Sequence, residues 1–312
     1  MAQPTTRDVH VDAALSNISI AYKNAKYIAD MVFPIIPVDK ASDYYYTWTK
    51  DFWFRNHVER RGPGAVYAEA GLQLSTTQYN CVNKGLSFPI PDEIVANEDA
   101  GVDIEAAGAE FLADQFLLDR EIAIKGKIMD ASVWTSSTTL SGTDQWSDYE
   151  NSDPLGDIDT GIETIKGLTG QSPNVALVNE QGLHRLRRHP DLLDLYKYTV
   201  KANLTLDQIA QAIGVEKILV GDAVYNSANE GATFSGAYIW DKNMILMYVA
   251  PSPGLLVPSA GYSFVWKQYG FTVPITRVRD ELRDREILKA NHAFDQKVTS
   301  ADCGYEIINC VA

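Results

Sequence analysis

The sequence predicts an α+β protein in which helical and strand segments alternate along 312 residues. Three observations predict this class. Apolar residues recur at helical spacing over 104–129, the segment 42–55 alternates as strands do, and short helices and strands follow one another over 157–250. The composition, 46% hydrophobic and 22% charged, is ordinary for a folded chain that buries a sizeable core.

Charge and cysteine usage exclude several function classes. The net charge is -14 and the pI about 4.8, so most of the surface repels free nucleic acid and a general DNA-binding role is not expected. Three cysteines in a long chain do not predict a disulfide framework. Residues 1–15 lack the pattern of a signal peptide, and the longest apolar stretch, 244–250, is too short to span a bilayer. We therefore expect a protein made in a cytoplasm, without a membrane segment.

The N-terminal region predicts a helix followed by extended chain. From Val11, apolar residues recur at 11, 14, 15, 18, 22 and 25, which is helical spacing. Pro34 and Pro37 then favour an extended backbone.

The segment 42–55, SDYYYTWTKDFWFR, predicts a strand with aromatic side chains on both faces. Alternation puts Tyr44 and Tyr46 on one face, with Trp48, Phe52 and Phe54, and it puts Tyr45 and Trp53 on the other. One interpretation is a sheet that packs on its own core and also meets a neighbouring subunit. The alternative is a central strand that is covered on both sides within one subunit.

Residues 57–85 predict a two-stranded projection with a mobile tip at the turn 60–64. Its few apolar residues cannot make a core, so it would need a partner surface. The alternative is a hairpin that lies flat on its own domain.

A long amphipathic helix is predicted after this projection. Asn97 or Asp99 is a candidate N-cap, and we expect the helix to run to about Trp134. The apolar stripe of this helix consists of Ile104, Phe111, Leu118, Ile122 and Met129, widened by Leu112 and Phe116.

The rest of the chain predicts two units. Over 155–258 we expect a compact α/β unit in which NVALVN is a buried strand and LTLDQIAQAIG is a helix that ends at Gly214. Over 261–312 the pattern is mostly that of strands.

The stretch RVRDELRDREILK (277–289) predicts a strand with charged side chains on both faces. Alternation groups its arginines with Glu281, while Asp280, Asp284 and Glu286 point the other way. Because an unpaired buried charge costs several kcal/mol, the stretch belongs at a subunit contact, where arginine pairs with carboxylates, or at a solvated sheet edge.

A search for chemistry finds none of the motifs for phosphate loops, dinucleotide binding, zinc proteases or serine hydrolases. His184 and His189 could form a metal pair, but the arginines around them indicate an ordinary surface. We therefore predict no catalytic, cofactor-binding or metal-binding residues and no cofactor. The absence of motifs favours a protein that acts through its surfaces.

The order of elements resembles the major capsid protein of tailed bacteriophages, which has the Hong Kong 97-like fold. The likeness is carried by YKNAKYIADMVFPIIPV (22–38), RRGPGAVYAEAGLQLSTTQYNCVNKG (60–85), PDEI (91–94), LTLDQIAQAIGVEKILVGDAVYN (204–226) and DCGYEIIN (302–309). Together the matching elements span nearly the whole chain.

The resemblance implies a division of the chain into six segments. They are an N-terminal arm (1–40), a strand of the peripheral domain (41–51), an extended loop (52–88), the peripheral domain with its spine helix (89–154), an axial domain (155–258) and C-terminal strands of the peripheral domain (259–312).

Candidate subunit contacts follow from the loop and the charged strand. They are Trp53, Arg60, Arg61, Tyr67, Arg277, Arg279, Arg283 and Arg285.

The implied function is self-assembly, through hexamers and pentamers, into an icosahedral virion shell. The shell would enclose the double-stranded DNA of a tailed phage without sequence-specific binding. The implied partners are further copies of the chain, a separate scaffolding protein, a portal and a decoration protein, with assembly in the host cytoplasm and no membrane. Two alternatives stay open: an encapsulin-like nanocompartment shell, and a soluble α/β enzyme that uses residues 155–258.

Overall fold

A computed structural model describes the fold. It covers residues 24, 26–48, 50–71, 74–96, 103–196, 204–252, 257–269 and 274–312. The helix predicted from Val11 onward falls almost entirely outside these residues, as do the predicted caps Asn97 and Asp99.

The helices and strands are as follows. The helices are α1 (Ala29–Val32), α2 (Lys50–Trp53), α3 (Asp92–Ala96), α4 (Ile104–Ile128), α5 (Pro154–Thr169), α6 (Glu180–Arg188), α7 (Pro190–Leu195) and α8 (Leu206–Ala212). The strands are β1 (Ile35–Val38), β2 (Ser42–Trp48), β3 (Leu74–Asn80), β4 (Val82–Pro91), β5 (Ser136–Thr139), β6 (Val175–Asn179), β7 (Lys217–Gly221), β8 (Val224–Asn226), β9 (Gly236–Tyr238), β10 (Met244–Met247), β11 (Gly261–Trp266), β12 (Ile275–Asp280), β13 (Arg285–Val298) and β14 (Gly304–Ile308).

Two five-stranded sheets organise the described residues. In the first sheet the order is β1-β11-β13-β12, and β4 pairs with β13 over ten residues. In the second sheet the order is β5-β14-β10-β6-β7. Two-stranded ribbons, β2–β3 and β8–β9, lie beside them. This mixture of helices and mixed sheets confirms the α+β class.

The spine helix α4 is confirmed, and it packs against both five-stranded sheets. Leu112 and Phe116 pack with Leu288 against the first sheet. Ile124 and Ile128 pack with strand residues of the second sheet. The N-cap is Asp103, whose side chain accepts the Ala106 N–H at 2.9 Å. At about 1.5 Å per residue the 25 residues span roughly 37 Å, so this helix ties the two sheets together.

The predicted end and face of α4 are wrong in detail. The helix ends at Ile128, because the Trp134 indole folds back and donates to the Ile128 carbonyl at 2.8 Å. Phe111 and Ile122, expected in the apolar stripe, are 48% and 44% exposed. The helix is rotated because Arg120 and Glu121 face inward, where both have partners.

The second sheet confirms the α/β pattern predicted from Asp157 onward. β6, the NVALVN strand, is buried at all five positions. α8 begins with a capping box between Thr205 and Gln208, and the chain turns at Gly214, where φ is +72°. α5 to α8 contribute to one core, while α1 and the end of α4 contribute to another. Two strands cross the expected segment boundaries, since β5 and β14 complete this sheet from outside 155–258.

The aromatic segment differs from the predicted strand. β2 covers only 42–48, and α2 follows it over 50–53. In the strand, Tyr44 and Tyr46 are 64% and 60% exposed, while Tyr45 stacks on Phe264 with ring centroids 5.5 Å apart. The inward face is thus the less aromatic one, because the β2–β3 ribbon meets the first sheet at Phe264.

The predicted projection is built differently as well. β2 and β3 form its ribbon, in a register that runs from Ser42↔Asn80 to Trp48↔Leu74. β4, expected in the same projection, instead runs along β13 in the first sheet. The chain between β2 and β3, residues 49–73, is called the long loop below.

Candidate assembly surfaces

The long loop is the most exposed part of the described chain. After α2, every residue over 58–71 is exposed. Val58, Val66 and Tyr67 are 86%, 88% and 72% exposed. Such a run of exposed apolar side chains has no core of its own, so it is available to a partner surface.

The tip of the long loop holds a defined local shape. The Ala65 N–H donates to the Gly62 carbonyl at 3.1 Å, and Gly64 adopts a left-handed φ of +79°. The Arg61 Nε donates to the Ala65 carbonyl at 2.5 Å, and the Arg61 guanidinium lies 4.0 Å from the centre of the Tyr67 ring. Two predicted contact residues, Arg61 and Tyr67, are therefore brought together.

The base of the long loop is fixed to the body of the subunit. Lys50 Nζ lies 2.6 Å from the Asp302 carboxylate in the C-terminal segment. Burial acts to raise the pKa of Asp302, but hydrogen bonds from Lys50 and Thr135 outweigh it, and the pKa is lowered. The rings of Phe52 and His57 pack together with their centroids 4.4 Å apart. The loop thus leaves the body from an anchored point.

The other loop candidates are also at the surface. Trp53, the last residue of α2, is 53% exposed. Arg60 is exposed beside the turn. The structure brings neither of them into the Arg61–Tyr67 pair. A role of these residues in subunit contacts stays a prediction.

The arginine-rich stretch is a hairpin rather than one strand. β12 ends at Asp280, residues 281–284 turn, and β13 begins at Arg285. The predicted grouping of charges by alternation is therefore wrong, because the turn breaks the alternation. Leu282 stands at this turn with 96% of its surface exposed, and the Arg283 side chain is exposed beside it.

Three of these arginines have carboxylate partners within the chain. Arg279 makes a bidentate pair with Asp92, both distances being 2.6 Å, and this contact lowers the pKa of Asp92. Arg285 Nε donates to Asp280 at 2.9 Å. Arg277 pairs with Glu105 of α4 and with Glu286. The charges of these three arginines are thus balanced within the subunit, and the pairs with Asp92 and Glu105 fasten the hairpin to α3 and α4.

A buried joint, missed by the sequence reasoning, connects α1, α4 and the second sheet. The Glu121 carboxylate, with no exposed surface, accepts the backbone N–H groups of Ile28 and Ala29 at 3.0 and 2.7 Å. It also accepts the Trp240 indole N–H at 2.6 Å. Burial raises the pKa of Glu121, although these three hydrogen bonds oppose the shift. A charged residue on the predicted polar side of α4 gave no signal of this role.

No group of three or more metal-ligating side chains converges within the described ranges. His184 Nε2 lies 3.1 Å from Glu180, and His189 Nε2 lies 3.1 Å from the Ser152 hydroxyl, so the two histidines have separate partners. A pocket of about 420 Å³ beside α6 is lined by His184, Arg185, Arg188 and Lys242 but by no carboxylate side chain or thiol.

Comparisons of the sequence and of the structure with known proteins both find phage proteins. No family model matches the chain. The major capsid protein of Burkholderia phage BcepMu is 26% identical over 304 residues, covering 95% of both chains. The major capsid protein of Pseudomonas phage JBD67 is 27% identical over 313 residues, covering 97% of both chains.

Among solved structures, a phage-related protein of Bordetella bronchiseptica superposes with a TM-score of 0.72 at 23% identity, over 96% of this chain and 97% of that one. The capsid of cyanophage P-SCSP1u gives 0.67 at 9% identity, over 98% and 95%. The chain is a phage capsid protein of the Hong Kong 97-like fold. Its place is the virion capsid.

This identification bears on the alternatives. Both curated relatives are structural proteins of phage shells, which favours a phage capsid protein over a nanocompartment shell or a soluble enzyme. In the described part of the chain, no helix is both long enough and apolar enough to cross a membrane.

Proposed function

We propose that this capsid protein forms hexamers and pentamers that close into an icosahedral shell around the double-stranded DNA of a tailed phage. The observation that carries the proposal is the long loop. It has an anchored base, a tip with contacts of its own and exposed apolar side chains with no core of their own. Contacts of this kind are individually modest and become strong when every subunit repeats them around a closed ring.

The six segments take the following roles in this proposal. Of the arm (1–40), only the residues before Asn24 lie on neighbouring subunits, because residues 28–38 pack in the subunit's own core and first sheet. Of the loop (52–88), the exposed residues 58–71 reach across the adjacent subunit, because residues 82–88 pair with β13 of their own subunit. The axial domain (155–258), completed by β5 and β14, meets its copies at the five- and six-fold axes. The peripheral domain consists of 41–51, 89–154 and 259–312.

The remaining partners follow from the same role. A separate scaffolding protein guides assembly in the host cytoplasm, a portal occupies one vertex, and a decoration protein covers the outside. The DNA is enclosed rather than gripped, since a net charge of -14 opposes tight contact with phosphates. The chain carries out no catalysis.

Deletion of residues 58–70 tests the proposal. The register pair Trp48↔Leu74 holds the two ends of the long loop side by side, so a short glycine-serine link can replace the exposed segment without disturbing the ribbon. We expect a folded subunit, by circular dichroism and cooperative unfolding, that forms no shells under negative-stain microscopy with scaffold supplied. The intact chain should form hexamers, pentamers or shells in the same experiment.

Point variants sharpen this test. Arg61→Ala together with Tyr67→Ala removes the stacked pair at the tip, whereas Arg61→Lys together with Tyr67→Phe keeps a cation and an aromatic ring at the same two positions as a matched control. We expect fewer shells from the double alanine variant and normal shells from the control. Normal assembly of the deletion variant would refute a role for the loop in subunit contacts.

A further inference from the structure

The β8–β9 ribbon presents an apolar face that nothing in the described chain covers. Val224 and Tyr238 are direct cross-strand partners and are 40% and 44% exposed. The Phe234 ring, 71% exposed, lies over Gly236, about 3.0 Å from where a Cβ would stand. Because residues 236 and 238 share a face of the strand, the three apolar side chains form one continuous surface. We call it the ribbon face.

The opposite side of the ribbon faces the body of the subunit. Tyr225, which alternates with Val224, packs against the core that contains Trp240 and Ile245. The ribbon is therefore packed on the body of the subunit through Tyr225, and the ribbon face lies on its outward side.

The N-terminal segment enters the described structure at this ribbon. The Asn24 side-chain amide donates to the Val224 carbonyl and accepts the Val224 N–H, both at 3.0 Å. These bonds occupy the free edge of β8 in the way a paired strand would. Tyr27 then donates to Asp114 at 3.0 Å, and Ile28 and Ala29 donate to Glu121. The point from which residues before Asn24 depart is thus fixed beside Val224.

The sequence just before this point matches the ribbon face. Val11, Ala14, Leu15, Ile18 and Tyr22 recur at the spacing of one apolar helix face. Tyr22 precedes Asn24 by only two positions, so a tether this short gives the segment a high effective concentration at the ribbon.

We propose that, in the unassembled subunit, residues 11–22 dock on the ribbon face of their own chain. Their apolar positions cover Val224, Phe234 and Tyr238, and Asn24 sets the register. The proposal goes beyond shell building, because it concerns one subunit before it meets a neighbour.

Photo-crosslinking tests which segment covers the ribbon face. Tyr238 is replaced by p-benzoylphenylalanine in the full-length chain, and unassembled ¹⁴N- and ¹⁵N-labelled subunits are mixed, irradiated and analysed by mass spectrometry. We expect crosslinks to residues 11–22 with both peptides carrying the same isotope. Tyr46, 60% exposed on the β2–β3 ribbon, takes the same probe as a control and should not crosslink to 11–22.

The other outcomes each overturn the proposal. Crosslinks between peptides of different isotopes would show that the arm of a second copy occupies the face. Crosslinks to another segment, or none above the Tyr46 control, would show that residues 11–22 do not lie there. Shell formation is not measured, so either failure leaves the proposed function to its own test.

Hydrogen exchange gives an independent readout with matched variants. Ile18→Asp puts a charge on the apolar positions, whereas Ser16→Asp puts the same charge about 160° away on a helical wheel. We expect amides of 224–238 to exchange about tenfold faster in Ile18→Asp than in the intact chain, and to be unchanged in Ser16→Asp. Equal exchange in all three proteins would refute the docking.

Discussion

Removal of the Glu121 carboxylate should be among the most damaging single changes to the subunit. In Glu121→Ala, the N–H groups of Ile28 and Ala29 and the indole N–H of Trp240 lose their acceptor at once. All three donors are in buried residues, so water cannot readily replace the carboxylate. The contact between α1, α4 and the second sheet would loosen.

The size of the effect follows from these contacts. A buried donor left without a partner costs roughly 1–3 kcal/mol, so three donors set an upper range of about 3–9 kcal/mol. Loss of the buried charge, whose desolvation raises the pKa of Glu121, offsets part of this. Relaxation of the short α1 segment offsets more. We expect the free energy of unfolding to fall by about 4 kcal/mol.

Urea denaturation of the unassembled subunit measures this loss, and hydrogen exchange of residues 26–33 shows where it occurs. Trp240→Phe removes one donor and keeps a smaller aromatic ring, so it should cost about 1.5–3 kcal/mol for the lost hydrogen bond and a further amount for the space left by the indole. Glu163→Ala, on the exposed side of α5, is the control and should change stability by less than about 0.5 kcal/mol. A loss below about 1 kcal/mol for Glu121→Ala, with unchanged exchange over 26–33, would refute the reasoning.

Two further predictions concern the second sheet. Glu306 has no exposed surface; one carboxylate oxygen accepts from Asn243 at 2.8 Å, and the other has no partner among the described residues. Burial raises the pKa of Glu306. The protonated side chain therefore stabilises the folded state at acid pH, and this stabilisation is lost as the pH rises through the raised pKa. Glu306→Gln should therefore add about 1–2 kcal/mol at neutral pH and match the intact chain at the acid end; equal urea midpoints at neutral pH would contradict this. Gly304→Ala would place a Cβ 2.1 Å from the Trp134 ring and should lower the free energy of unfolding by about 2–3 kcal/mol. Gly167→Ala, in open space on α5, should raise it by about 0.5–1 kcal/mol. Thermal melts of the two variants should therefore shift in opposite directions, and a shift in the same direction would contradict the reasoning.

The sequence predicted those elements in which local signals and tertiary packing agree. The alternation of strands and helices over 157–250, the buried strand β6 and the capped helix α8 all follow from periodicity and cap chemistry. The existence of a long helix near 104–128 was also predictable from its apolar repeat, although its predicted end at Trp134 and part of its predicted buried face were wrong. These features are decided mostly by residues close together in the chain.

The failures arose where contacts distant in sequence decide the structure. Nothing local shows that Glu121 faces inward, because its partners Ile28 and Trp240 lie 93 and 119 positions away. Nothing local shows that Tyr45, rather than the neighbouring Tyr44, faces a core, because the choice is made by Phe264.

The charged stretch failed for a different reason. The residues 281–284, ELRD, include neither Gly nor Pro, so they carry no turn signal and the strand alternation was predicted to continue through them. In the structure these four residues turn, and Asp284 adopts a left-handed φ of +44°. Arginines around this turn pair with carboxylates of the same subunit. The sequence alone favoured a contact between subunits and a solvated sheet edge equally.

The position of β14 has a consequence for the order of events during synthesis. Although β14 follows β5 far along the chain, it lies inside the second sheet between β5 and β10, and its contacts with β5 join residues 167 positions apart. A nascent chain therefore carries β5 without its neighbour until translation has passed residue 308. Because pairing across such a distance is slow, closure of the β5–β14 edge should come late in folding, after contacts between elements that are close in the chain.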